Sequence, residues 1–136
     1  MAEQKFDAVR SVVGALNDRD VDGYLACCTD DVELVPATAA IAGTFRGSSG
    51  IARFFADLKD TAPDIHVGVE RLELVGGNVV AFERASASGR ASGVGGDLEF
   101  TTLYEFAGRR IRRISVFLDR QEANRTARVR RHTADD

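Results

Sequence analysis

The sequence predicts an α+β domain in which three N-terminal helices pack against a curved, mostly antiparallel sheet. Three observations carry that expectation. Apolar residues recur at helical spacing in the first half of the chain. From Asp64 onward, β-branched and alternating stretches are separated by glycine-containing turns. The chain has 136 residues, 44% hydrophobic and 29% charged, which suits one continuous core without a stabilising disulfide or metal. Helices collected before an antiparallel meander place the helices on one face of the sheet.

Phe6, Val9, Val13 and Leu16 share one helical face and define the first helix. Asn17-Asp18-Arg19-Asp20 breaks it, because short polar side chains compete with the helical backbone. Asp20 is placed to cap a second, short helix whose inner face is Val21, Tyr24, Leu25 and Cys28, with Asp30-Asp31 as its end. Val32 to Pro36 reads as a short strand with proline at its edge or end. Residues 37–43 are small and apolar, a loop, and Thr44 to Arg46 reads as a second short strand. Ser48 or Ser49 is placed to cap a third helix carrying Ile51, Phe54, Phe55 and Leu58 on one face. Pro63 stops it.

The remainder reads as four strands. Asp64–Val75 and Val79–Ser88 flank a Gly76-Gly77-Asn78 turn. Ile65, Val67 and Val69 have the opposite parity to Leu72 and Leu74, and a bulge near Glu70 reconciles them. A bend rich in glycine (Gly89, Gly93, Gly95, Gly96) leads to Asp97–Phe106, where Leu98, Phe100, Thr102, Tyr104 and Phe106 alternate with the opposite face. Ala107-Gly108-Arg109 turns the chain into a last strand, Arg110–Asp119. Residues 1–120 are thus expected to form the single domain. Residues 121–136 are expected to be a basic C-terminal tail, either a frayed helix or disordered.

Composition excludes several functions. A net charge of −3 and a pI near 5.4 argue against a general nucleic-acid binder. Cys27 and Cys28 are adjacent and offer neither a disulfide framework nor a four-ligand zinc set. That usage suits a reducing cytoplasm. Met1 to Lys5 shows no secretory signal, and no apolar run approaches the length of a membrane span. No histidine cluster suggests a metal, the glycines at 89–96 do not precede a helix and so form no phosphate loop, and no cofactor is expected.

Five stretches, in order, resemble the SnoaL-like branch of the NTF2-like superfamily, in which the ketosteroid isomerases also fall. They are Leu16 to Ala26, Thr29-Asp30-Asp31-Val32-Glu33-Leu34, Thr44-Phe45-Arg46-Gly47 with Ile51-Ala52-Arg53-Phe54-Phe55, the Gly76 to Ala81 hairpin, and Gly108 to Asp119. Together they span residues 4–120. The resemblance implies a cone-shaped α+β barrel with an internal ligand pocket for a hydrophobic small molecule, and a homodimer through the outer face of the sheet. It implies polyketide cyclase or isomerase chemistry, limonene-type epoxide hydrolysis, or a non-catalytic module for ligand binding or dimerisation. Apolar residues on both faces of the last strand are consistent with a covered outer face.

Ketosteroid-isomerase-type transfer requires an acid at the end of the first strand, where Leu34-Val35-Pro36 offers none, and a first-helix tyrosine, where Val12 and Val13 stand. Epoxide opening requires two acids around an arginine. Arg84 can supply the arginine, and Val116 stands near the last-strand acid position. Asp119, which closes the final strand, resembles the late acid of the SnoaL-type cyclase and is the expected proton shuttle. Arg84 or Tyr104 is expected to hold the developing oxyanion. For Arg84 the competing expectation is a surface pairing with Glu99 or Glu105. Tyr24, Phe54, Phe82, Phe100 and His66 are the expected ligand-binding residues, with packing as the alternative for Tyr24 and a solvent or dimer face for His66.

Overall fold

The computed structural model describes residues 2–37, 43–87 and 97–135. The loop over residues 38–42 and the bend carrying Gly89, Gly93, Gly95 and Gly96 lie outside the described residues. Helices α1 (Ala2–Asn17) and α2 (Val21–Ala26) are followed by strands β1 (Cys28–Val35) and β2 (Phe45–Arg46) and then by helix α3 (Gly47–Thr61). Strands β3 (Ile65–Val75), β4 (Asn78–Ala87), β5 (Leu98–Ala107) and β6 (Arg110–Phe117) follow, and helix α4 (Arg120–Asp135) closes the chain. The strands form one open curved sheet of order β2-β1-β6-β5-β4-β3. Every pairing is antiparallel except β1 with β6. The expected α+β architecture is observed.

Helices α1 to α3 lie on the concave face. Val9, Val12 and Val13 of α1, Tyr24 of α2, and Ile51 and Phe55 of α3 pack with Val79, Ala81, Tyr104, Phe106, Ile111 and Ile114 of the sheet. α1 is tied at its end: the Asn17 amide donates to the Val67 carbonyl and accepts from the Val67 amide, both at 2.8 Å. Arg19 takes a left-handed φ of 58° in the tight link to α2, and the Asp20 carboxylate accepts from the Gly23 amide as expected of a cap. The expected bulge lies between Val69 and Arg71, where the β3–β4 register shifts.

Several boundaries differ from the sequence expectation. α2 ends at Ala26, and Cys28 and Asp30-Asp31 belong to β1, because the Ile111 amide of β6 takes the Cys27 carbonyl and draws the chain into the sheet. α3 begins at Gly47, where φ is 66°, and Arg46 stands at the cap with no side-chain bond, so neither Ser48 nor Ser49 caps it. Gly50 sits hard against β2: a Cβ there would meet the Phe45 carbonyl carbon at 2.9 Å. The last strand stops at Phe117 rather than Asp119.

The largest difference is α4. The segment expected to be a frayed or disordered tail is a helix docked on the convex face, with Ala123 and Ala127 fully buried. Ala127 packs in a second cluster with Val80, Phe82 and Leu103. Small side chains let the helix approach the sheet closely, so part of the face expected to meet a second subunit is covered by the chain itself. Among the described residues no helix is long and apolar enough to cross a membrane.

The docking of α4 is testable. Ala127→Lys places a charge in a dry contact and is expected to lower unfolding free energy by about 1–3 kcal/mol in urea titrations. An unchanged midpoint would mean that α4 contributes nothing to the fold.

Candidate functional site

Between the helices and the sheet lies a cavity of about 260 Å³. Its walls are apolar: Val13 and Leu16 from α1, Leu34 and Pro36 from the first-strand region, Phe54 and Leu58 from α3, Ile65 and Val67 from β3, Phe100 from β5, and Ile114 and Val116 from β6. Leu98 and Leu118 also line it and are 54% and 63% exposed, which marks the rim. The polar side chains on its wall are Tyr24, Glu83, Thr102 and Tyr104.

Glu83 lies on the concave face of β4 with Val79, Ala81 and Ala85 and is 3% exposed. The register sets Glu83 opposite Phe100, Ala81 opposite Thr102 and Val79 opposite Tyr104. The carboxylate is therefore diagonal to Thr102 and near Tyr104, and each of its oxygens accepts one hydroxyl: Thr102 Oγ1 at 2.5 Å on Oε1 and Tyr104 Oη at 2.8 Å on Oε2. Burial pushes the Glu83 carboxyl up to about 7, and the bonds from Thr102 and Tyr104 oppose that rise. Burial likewise holds both tyrosine hydroxyls well above their ordinary range, and the Glu83 charge adds to this. Near neutral pH the site therefore holds one carboxyl poised between its two forms and two neutral phenols. A group so tuned can both take and return a proton.

The residues expected to form the site are split by the sheet. Tyr24, Phe54, Phe100 and Tyr104 line the cavity, and Tyr24 packs edge-on against Phe55 with ring centroids 5.3 Å apart. Asp119 does not. It is exposed past the end of β6, where its carboxylate accepts the Gln121 amide at 2.8 Å and caps α4. Arg84 points from the opposite face of β4, half-buried, and pairs with Glu70 at 2.9 Å, Glu99 at 2.5 Å and Asp97 at 3.6 Å. The acids sought around Arg84 thus exist, but outside the cavity. Glu105 pairs instead with Arg112 and Arg113. Phe82 is also on the convex face, under the guanidiniums of Arg71 and Arg120 at 5.7 and 4.6 Å from its centroid. His66 is exposed beside Asn17 and Arg19 in a shallow hollow and does not line the cavity.

The residue that sequence reasoning missed is Glu83. Its signal was an acid inside an otherwise apolar run, Val79 to Phe82 before it and Ala85 after it. Cys27 and Cys28 are free thiols. Burial raises both and takes Cys28 to about 12, so they stay protonated. Among the described residues no group of His, Cys, Asp or Glu is placed to hold a metal ion.

A family model for the SnoaL-like domain matches residues 9–114. The chain belongs to the SnoaL-like family. Solved structures of the same fold include TerC co-crystallised with polyporic acid, at 20% identity and TM-score 0.74, covering 91% of this chain and 98% of TerC. A Jannaschia protein assigned as a SnoaL-like polyketide cyclase is 21% identical, with TM-score 0.71 and coverage of 92% and 91%. A Catenulispora acidiphila protein of ketosteroid-isomerase-like fold, in complex with trimethylamine, is 16% identical, with TM-score 0.70 and coverage of 81% and 83%. No curated protein matches the sequence significantly.

Burial of Glu83 has a thermodynamic signature. Its folded-state value near 7 lies above the ordinary 4.5, so the folded chain holds the proton over that interval and the unfolded chain does not. Ionisation then opposes folding: the penalty is absent below about 4.5 and complete above about 7. The stability of Glu83→Gln relative to wild type should rise across that window, by on the order of 3 kcal/mol. Urea titrations at pH 4.5 and 8 measure it; a difference independent of pH would contradict the burial.

Proposed function

We propose that this SnoaL-like protein binds a hydrophobic small molecule in its cone and moves a proton on it with Glu83, as a cyclase or isomerase does. The observation that carries this reading is a single buried carboxyl, raised to about 7, facing an apolar cavity with two phenols beside it. Two of the similar structures hold small molecules, polyporic acid and trimethylamine, which supports ligand binding by this fold. The role expected of Asp119 passes to Glu83, and the role expected of Arg84 passes to Tyr24, because Tyr104 gives its proton to Glu83.

The chemistry balances without a co-reactant. Ionised Glu83 removes an acidic C–H proton next to a carbonyl, and the Tyr24 hydroxyl, whose proton is not given to Glu83, donates to the enolate oxygen as charge develops there. In an isomerisation the protonated Glu83 returns the proton to another carbon. In a cyclisation the enolate carbon attacks a second carbonyl of the same molecule, and Glu83 gives its proton to the new alkoxide. Thr102 and Tyr104 hold the carboxylate in place before the substrate arrives, and the apolar walls exclude water that would quench the enolate.

Solvent-deuterium exchange at the α-carbon of 2-tetralone, a flat two-ring ketone, tests the reading by NMR. The wild type should accelerate exchange over buffer, more at pH 8 than at pH 5 because the base must be ionised. Glu83→Gln should lose about 10²–10⁴-fold of the acceleration. Wild-type exchange no faster than buffer, with the ketone bound, would make the protein a binding module instead.

A further inference from the structure

The polar corner of the cavity has a hydrogen-bonding polarity of its own. Thr102 and Tyr104 each give their one hydroxyl proton to Glu83. A hydroxyl that has given its proton keeps its lone pairs. What Glu83, Thr102 and Tyr104 present to a guest is therefore acceptors, the carboxylate oxygens and the two hydroxyl oxygens, and the Tyr24 hydroxyl is the one polar side chain of the described wall left to donate. Glu83 is the only charged side chain among the described residues of the cavity wall.

The nearby guanidiniums are engaged elsewhere. Arg84 is held by Glu70, Asp97 and Glu99 on the convex face. Arg120 lies over the Phe82 ring on that same face, and Arg112 and Arg113 pair with Glu105 there. The titratable groups facing Glu83 inside the cone are Tyr104 of β5 and Tyr24 of α2, both kept neutral by burial. The buried carboxylate thus faces the cavity with hydroxyl donors and no cation from the described wall.

We propose that the cavity binds a hydrophobic amine as its ammonium ion, with Glu83 as counter-charge and the hydroxyl oxygens of Thr102 and Tyr104 as further acceptors, and that it rejects carboxylates of the same shape. The inference rests on the cavity being a ligand site and deepens that reading by naming the charge of the guest. An ammonium brings several donors to three groups that have none left to give, and the rings of Tyr24, Phe54, Phe100 and Tyr104 add cation–π attraction in a dry site. The cost of burying the carboxyl is already borne in the folded protein, so what binding still costs is the desolvation of the guest and its lost translational and rotational freedom. A guest carboxylate instead meets a like charge across a low-dielectric space.

Three ligands on one ring system test this at pH 8, where Glu83 is mostly ionised: 2-naphthylmethylamine, 2-naphthalenemethanol and 2-naphthoate, titrated by calorimetry against the full chain. The amine should bind roughly tenfold or more tighter than the alcohol, and the naphthoate weakest. The alcohol should displace the amine, which shows one shared site. Glu83→Gln should abolish the amine's advantage over the alcohol. An amine no tighter than the alcohol, or an advantage that survives in Glu83→Gln, overturns the proposal. Alcohol binding without amine preference defeats the charge inference alone, whereas failure of all three ligands defeats the ligand-site reading as well. The wild-type ranking needs no variant, so it decides the matter even where Glu83→Gln folds poorly.

Discussion

A carboxyl group stays in the apolar hollow of this protein because two hydroxyls on the neighbouring strand reach it. Without Thr102 and Tyr104, the buried Glu83 carboxylate would lose both of its hydrogen-bond donors and its ionised form would be prohibitively costly. With them, each carboxylate oxygen has a partner, and the group is left balanced between its two protonation states instead of being fixed in one. The β4–β5 register creates that arrangement, since it sets the hydroxyls one and two pairs along from the acid on the same concave face.

The helices set the rest of the environment. α1 and α3 supply aliphatic and aromatic walls without a charge, and α2 adds a phenol. The nearby cations Arg71, Arg84 and Arg120 lie on the other side of the sheet. Arg84 is one residue from Glu83, yet alternation sends it to the opposite face, where three acids hold it. Exposed ion pairs of that kind add little stability, but they keep a guanidinium away from the cavity.

Much of the fold was legible in the sequence. The helical stripe of Phe6, Val9, Val13 and Leu16, the parity conflict around Glu70 and the alternation from Leu98 to Phe106 predicted α1, the β3 bulge and the inward face of β5. That inward face correctly carried Phe100 and Tyr104 to the cavity wall. The inward face of β4 was not legible, because Asn78 to Glu83 is buried on both sides. Val80 and Phe82 look like core in the sequence, and they are, but the core they join is the one under α4. α4 itself was hidden by its composition: its contact residues include Ala123 and Ala127, which give no hydrophobic stripe among so many arginines. Once that helix is overlooked, the apolar residues of the convex face are assigned to the cone, Arg84 goes with them, and Glu83 is turned outward. Asp119 misled for a related reason. An acid at the end of the last strand resembles a shuttle, but in a chain that continues into a helix it is a cap.

That Glu83 titrates in a dry site is read directly by carbon NMR of its side chain. With glutamate labelled at the carboxyl carbon and Glu83→Gln used to assign the signal, the Glu83 resonance should shift with a midpoint of about 7. A midpoint at the ordinary 4.5 would place the carboxyl in water and contradict the site.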